Sequence, residues 1–212
     1  MAASFQLRSY VQPLYHVGYM EGKPWPTSSL EGPLLSCSIC PEDWRGIAKL
    51  GGAPVWRIRC EHPLLLVDML GLSMKKQQGC LEEACALGLI KQATLYRVDC
   101  SSDEEDEGRF MLFESRAEAL ENAEEGSRPA PVEGWRASPR LVSYWHGDPK
   151  RKIAPLLVPD AALVHLIELN SQAAGVWWKE RHDPASLSAP RVGIFARGIR
   201  DIDRRERIIW MR

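Results

Sequence analysis

One imidazole and two hydroxyls stand where a hydrophobic core has no use for them. The imidazole is His16, in the short apolar stretch Leu14-Tyr15-His16-Val17-Gly18, and the hydroxyls are Ser36 and Ser38, in Pro33 to Ile39. Both stretches have the composition of β-strands. With the two-residue period of a strand, His16 faces opposite to Tyr15 and Val17, and Ser36 and Ser38 share the face opposite to Leu35, Cys37 and Ile39. A second constellation is Cys37-Ser-Ile-Cys40, which has CxxC spacing and which Cys60 and His62 would complete as a four-ligand zinc set. Cys37 falls inside an apparent strand and no second CxxC follows, so these cysteines read as buried thiols and no metal is expected. The unbroken acidic run Asp103 to Glu107, in a loop over 101–108, lacks the glycine-turned spacing of a calcium site and reads as solvated.

The elements that would position these groups follow in chain order. After the strand at Pro33 to Ile39, Pro41 suits the first position of a helix, with Glu42 and Asp43 near its positive end. Trp44, Ile47 and Ala48 have the spacing of a buried stripe, Gly51-Gly52 ends that helix, and Pro54 to Arg59 alternates as a third strand. Over 62–74 the pattern fits a helix or a loop. Cys80 to Ile90 reads as a helix, Ala93 to Val98 as a strand, Gly108 to Glu114 as a strand and Arg116 to Glu125 as a charged helix. The proline-rich 127–139 reads as a loop, Leu141 to His146 as a short strand, and Asp160 as the cap of a helix running to Asn170. Gly175 to Glu180 and Arg191 to Ala196 read as a late pair of strands, with Trp177 and Trp178 necessarily facing opposite sides. The Arg-rich tail fits a helix or an edge strand.

Composition narrows the classes. The chain has 212 residues and a formal net charge of −1, so no global charge draws it to nucleic acid or to an anionic membrane. No apolar run reaches transmembrane length and the first residues lack the apolar core of a secretory signal, which predicts a soluble, cytoplasmic protein. There is no Walker motif, no GxSxG elbow and no HExxH. Strands and helices alternate without a regular βαβ rhythm, which predicts an α+β fold with a mixed or antiparallel twisted sheet and flanking helices.

Leu14-Tyr15-His16 with a nearby glycine resembles the first strand of ADP-ribosyltransferases of the His-aromatic-Glu type, whose motif reads Leu-Tyr-His-Gly. In this chain Val17 stands between His16 and Gly18. The segment GPLLSCSICPEDWRGIAKLGGAPVWRI is similar to that family's next strand, aromatic-bearing helix and Val-aromatic strand. GVWWKE followed by SAPRVGIF is similar to its late strand pair, the first of which leads to the catalytic glutamate. The resemblance implies NAD as a substrate. His16 would bond the adenosine-side ribose, Tyr19 or Trp44 would stack on nicotinamide, and Ser36 or Ser38 would lie under the nicotinamide-proximal ribose. Glu180 would hold that ribose's 2′-hydroxyl and favour the positive charge at its anomeric carbon. Cleaving a glycosidic bond passes through an oxocarbenium-like state, which a fixed carboxylate stabilises. Glu180 stands between Lys179 and Arg181, so a surface charge is its alternative role, and Asp183 is a second candidate.

The expectation is therefore a single α+β domain over 1–212 with a divergent central insertion over about 61–159. Its activity would be transfer of ADP-ribose from NAD to a macromolecule, or NAD hydrolysis, in the manner of a toxin or mobile-element effector. The alternative is a non-catalytic module that binds protein or nucleic acid through 103–107 or the Arg-rich tail.

Overall fold

Short segments that alternate apolar with polar residues satisfy their backbone polar groups by pairing side by side, as eleven described segments of this chain do. The structure, a computed structural model, describes residues 5–10, 13–18, 32–42, 45, 51–60, 62–69, 71–99, 110–124, 127–178, 191–199 and 204–208. The chain divides into two units, Met1–Lys76 with Ile167–Arg212, and Gln77–Leu166. It is an α+β protein.

The first unit is built on a mixed eight-stranded sheet. Its strands are β1 (Leu7–Tyr10), β2 (Leu14–Val17), β3 (Leu35–Ser38), β4 (Val55–Arg59), β5 (Leu64–Asp68), β9 (Gly175–Trp178), β10 (Arg191–Ile194) and β11 (Arg204–Ile208). Their spatial order is β1-β5-β9-β10-β3-β2-β4-β11. Only β5 and β9 run parallel; the other neighbours are antiparallel. Leu14, Leu35, Ile58, Leu66, Val192 and Ile194 form the main core on one face, with Trp177 and Tyr10 packed against it. Val17 and Val55 form a smaller cluster with Tyr15 on the other face. β5 corrects the expected helix or loop over 62–74. Leu64, Leu66 and Val67 are buried between β1 and β9, and a continuous apolar run between two neighbours is what a central strand requires.

The second unit has a three-stranded antiparallel sheet, β7-β6-β8, from β6 (Ile90–Asp99), β7 (Phe110–Phe113) and β8 (Ala130–Ala137). Among the described residues, the helices with complete bounds are α1 (Met74–Ala86), α2 (Arg116–Glu121), α3 (Pro139–His146), α4 (Val158–Asn170) and α5 (Ala196–Ile199); α2 and α3 belong to the second unit, α5 to the first, and α1 and α4 each have residues in both. β8 corrects the loop expected over 127–139. It pairs with β6 over eight residues, and its Pro131 is tolerated because β8 is an edge strand. α3 corrects the strand expected over 141–146: the Ser138 hydroxyl accepts from Leu141 N, Pro139 opens the helix, and Gly147 ends it at φ 69°. α1 begins at Met74 rather than Cys80, and Ile90 belongs to β6.

Candidate functional site

The sheet opens at one place, and His16 sits there. β2 pairs with β4 over all four of its residues but with β3 only through Tyr15 opposite Ser38. Beyond that pair the ladder is replaced by a side chain, with His16 Nδ1 2.7 Å from the Ser36 carbonyl oxygen. A carbonyl oxygen only accepts, so Nδ1 carries the proton of this bond.

Gly18 completes this corner. Its N–H donates to Pro54 O at 2.9 Å, and its carbonyl accepts from Trp56 Nε1 at 2.9 Å. Its φ is +144°, and a Cβ there would lie 3.0 Å from His16 Nε2. Glycine is therefore needed twice over, for its backbone angle and for the approach of the ring. The intervening Val17 does not move the glycine away from the imidazole, because Val17 turns to the opposite face and packs against Val55.

The two serines differ. Ser38 is spent locally, its Oγ accepting from Cys40 N at 3.0 Å and donating to Cys40 O at 3.1 Å. That turn delivers the chain into the helical residues Pro41 and Glu42. Ser36 Oγ is buried and makes no hydrogen bond among the described residues. Its neighbour across the β3–β10 pair is Gly193, which places no side chain beside it. By strand alternation His16 shares a face with Leu14, whereas Ser36 and Ser38 share the other. The structure brings His16 to the main chain of Ser36, and not to either hydroxyl.

Register carries the late strands to the same place. Tyr15 lies opposite Ser38, Ser38 opposite Arg191, and Arg191 opposite Trp178, so four strands align in one row. Glu180 and Asp183 follow β9 but lie outside the described residues, as do Tyr19 and Trp44.

A cleft of about 250 Å³ is lined by Tyr10, Pro13, Leu14, Arg57, Ile58, Arg59, Cys60 and Leu64. Strands far apart in sheet order thus face each other across it, so the sheet curls. Tyr10 packs its ring 5.1 Å from that of Trp177, and burial, then the nearby Cys37 and Tyr15, push its phenol up to about 12. Sequence reasoning passed over Tyr10, Trp56 and Arg57. The available signal was Arg57, which shares its strand face with the buried Val55.

Among the described residues no three His, Cys, Asp or Glu side chains are grouped to hold a metal ion, and no helix is long and apolar enough to cross a membrane. Comparison with protein-family models, with curated proteins and with solved structures finds no match for this chain.

Proposed function

We propose that this chain has an ADP-ribosyltransferase-like fold and transfers ADP-ribose from NAD to a macromolecular acceptor, or to water. The observation that supports this reading is the opened β2–β3 pair. There His16 Nδ1 donates to the main chain of Ser36, in the same sheet as β9, the strand that precedes Glu180 in sequence. A ribose presents hydroxyl groups that both donate and accept, so an imidazole is a suitable partner for one of them in either protonation state. Of the two serines, Ser36 is the one whose hydroxyl is left for a ligand, since Ser38 holds its own turn.

In the proposed reaction the bond between the anomeric carbon and the nicotinamide nitrogen breaks. Nicotinamide leaves with the bonding electron pair, and the acceptor's nucleophilic atom bonds to the carbon and gives up its proton. Glu180 favours the cationic carbon electrostatically and would take that proton as general base. A role as toxin or mobile-element effector rests on the resemblance alone.

The test incubates the full chain with NAD labelled in the adenylate and with a bacterial lysate, beside His16→Ala and Glu180→Ala. Label transfer or nicotinamide release in the wild type, lost in both variants, is expected. Equal signals in all three would remove these residues from the chemistry, and a folded wild type inert toward NAD in both assays would count against the reading.

A further inference from the structure

We propose that β7 is a docking edge for an extended, basic segment of another protein, which joins the second unit's sheet as a further strand. This goes beyond the NAD reading and does not depend on it. β7 pairs with β6 on one side, and among the described residues no strand or other backbone group bonds its outer side. The 3-10 turn Pro155–Leu157 lies close to both β7 and β8, and α2 close to both β7 and β6, so these neighbours lie against the sheet inside that edge. An open edge is a row of donors and acceptors that a further strand can satisfy. The two edges of this sheet are guarded differently. β8 carries Pro131, Glu133 and Arg136, whereas β7 reads Phe-Met-Leu-Phe, with no proline, no charge and no fully buried residue. Met111 is 40% exposed, and Leu120 on the adjoining α2 is 52% exposed.

Charge selects the occupant. Residues 101–125 hold ten carboxylates and two basic side chains, in a chain whose net charge is only −1. The arginines that reach β7 from its own sheet are matched. Arg97, 4.3 Å from the ring centre of Phe110, pairs with Asp99 at 2.6 Å, and Arg136 pairs with Glu114 at 3.4 Å. A second copy laid edge to edge through β7 would bring two such acidic flanks together, and a nucleic acid would be repelled. A strand that alternates apolar residues with Lys or Arg meets both features. Its backbone continues the ladder, its apolar side chains cover those of β7, and its cations sit among the carboxylates.

The experiment titrates the full chain into three short labelled peptides and follows binding by fluorescence anisotropy. One alternates valine with lysine, one valine with glutamate, and one proline with lysine, which keeps the charge but cannot pair as a strand. In parallel, peptide-resolved hydrogen exchange follows β7 and β8 with and without the valine–lysine peptide. Saturable binding of that peptide alone is expected, weakened by added salt, with exchange slowed over 110–113 and unchanged over 130–137. Glu118→Lys combined with Glu121→Lys should weaken binding about tenfold, the worth of reversing two surface charges. Met111→Lys, which guards the edge, should weaken it too, and Glu82→Lys, exposed on α1, should leave it unchanged. The proposal is overturned by no saturable binding to the wild type, by equal binding of the proline–lysine peptide, by protection elsewhere than β7, or by undiminished affinity in folded Met111→Lys and the double variant. Sedimentation of the protein by itself tests the rival occupant. Self-association abolished by Met111→Lys would assign the edge to a second copy and overturn the proposal, and a monomer supports it. NAD enters nowhere, so failure here leaves the NAD reading standing, and failure of the NAD assay leaves this one standing.

Discussion

Ser36 and Ser38 sit two residues apart on one strand face, yet their hydroxyls have opposite fates, and stability can separate them. Ser38→Ala deletes both bonds that close the turn to Cys40 and leaves a backbone N–H to find another partner. We expect it to cost about 1–2 kcal/mol in urea unfolding. Ser36→Ala deletes a buried hydroxyl that has no partner among the described residues, so its stability should be unchanged or slightly higher. A large loss from Ser36→Ala would show that its hydroxyl is structurally engaged. Tyr10 gives a pH-dependent prediction. Its phenol pKa is raised from 10.0 to about 12 on folding, chiefly by burial. A raised folded value means that the stabilising contribution is fully present below the unfolded value and is lost as pH rises through about 12. The urea midpoint should therefore fall between about pH 9 and pH 11.5 in the wild type, and fall less in Tyr10→Phe. Equal slopes would remove Tyr10 as the cause.

At the scale of elements, the β9–β10 pair depends on one missing side chain. A Cβ on Gly175 would lie 2.2 Å from the Gly193 carbonyl oxygen, which is backbone and cannot rotate aside. Gly175→Ala should therefore cost about 3 kcal/mol or prevent folding, while Gly79→Ala, in α1 with open space around it, should gain about 0.5–1 kcal/mol. Thermal melts of the two variants check this directly, and a neutral Gly175→Ala would mean that the strands can part without cost. What the residues told in advance divides along the same physical line. β2, β3 and β4 were legible because each alternates. β5 was not, because Pro-Leu-Leu-Leu-Val is a short apolar run with no period to separate strand from helix. β8 was hidden by its prolines, which an edge strand accepts, and α3 by reading Ser138-Pro139 as the end of a loop when it is a cap and a first turn. In the site, His16 and Ser36 stood out as polar residues that no core needs. Trp56 clamping Gly18 and Tyr10 packing on Trp177 depend on strand registers far apart in sequence, which no local pattern encodes.

The two units carry separate titrating groups, so the whole molecule should weaken in different places at the two ends of the pH range. Tyr10 belongs to the first unit; His146, at the end of α3, belongs to the second. His146 is 6% exposed, and its Nε2 donates to Lys152 O at 3.0 Å. Burial lowers its pKa from 6.5; the bond to Lys152 and the nearby Asp148 oppose this, and Arg151 adds to it. A depressed folded value means that the contribution is present above 6.5 and is lost as pH falls through the folded value. Each unit has its own buried residues, so protonating His146 penalises the second unit's packing while leaving the first unit's sheet core uncharged. Peptide-resolved hydrogen exchange, corrected for intrinsic rates, should show protection over 139–153 falling first between about pH 7.5 and pH 5. At about pH 11 the loss should instead appear over 7–17 and 55–68, around Tyr10. His146→Gln keeps a donor for Lys152 O without a titrating ring, and should flatten the acid response alone. A loss of protection spread evenly over both units at both extremes would mean that they unfold as one, and neither group would then be the local trigger.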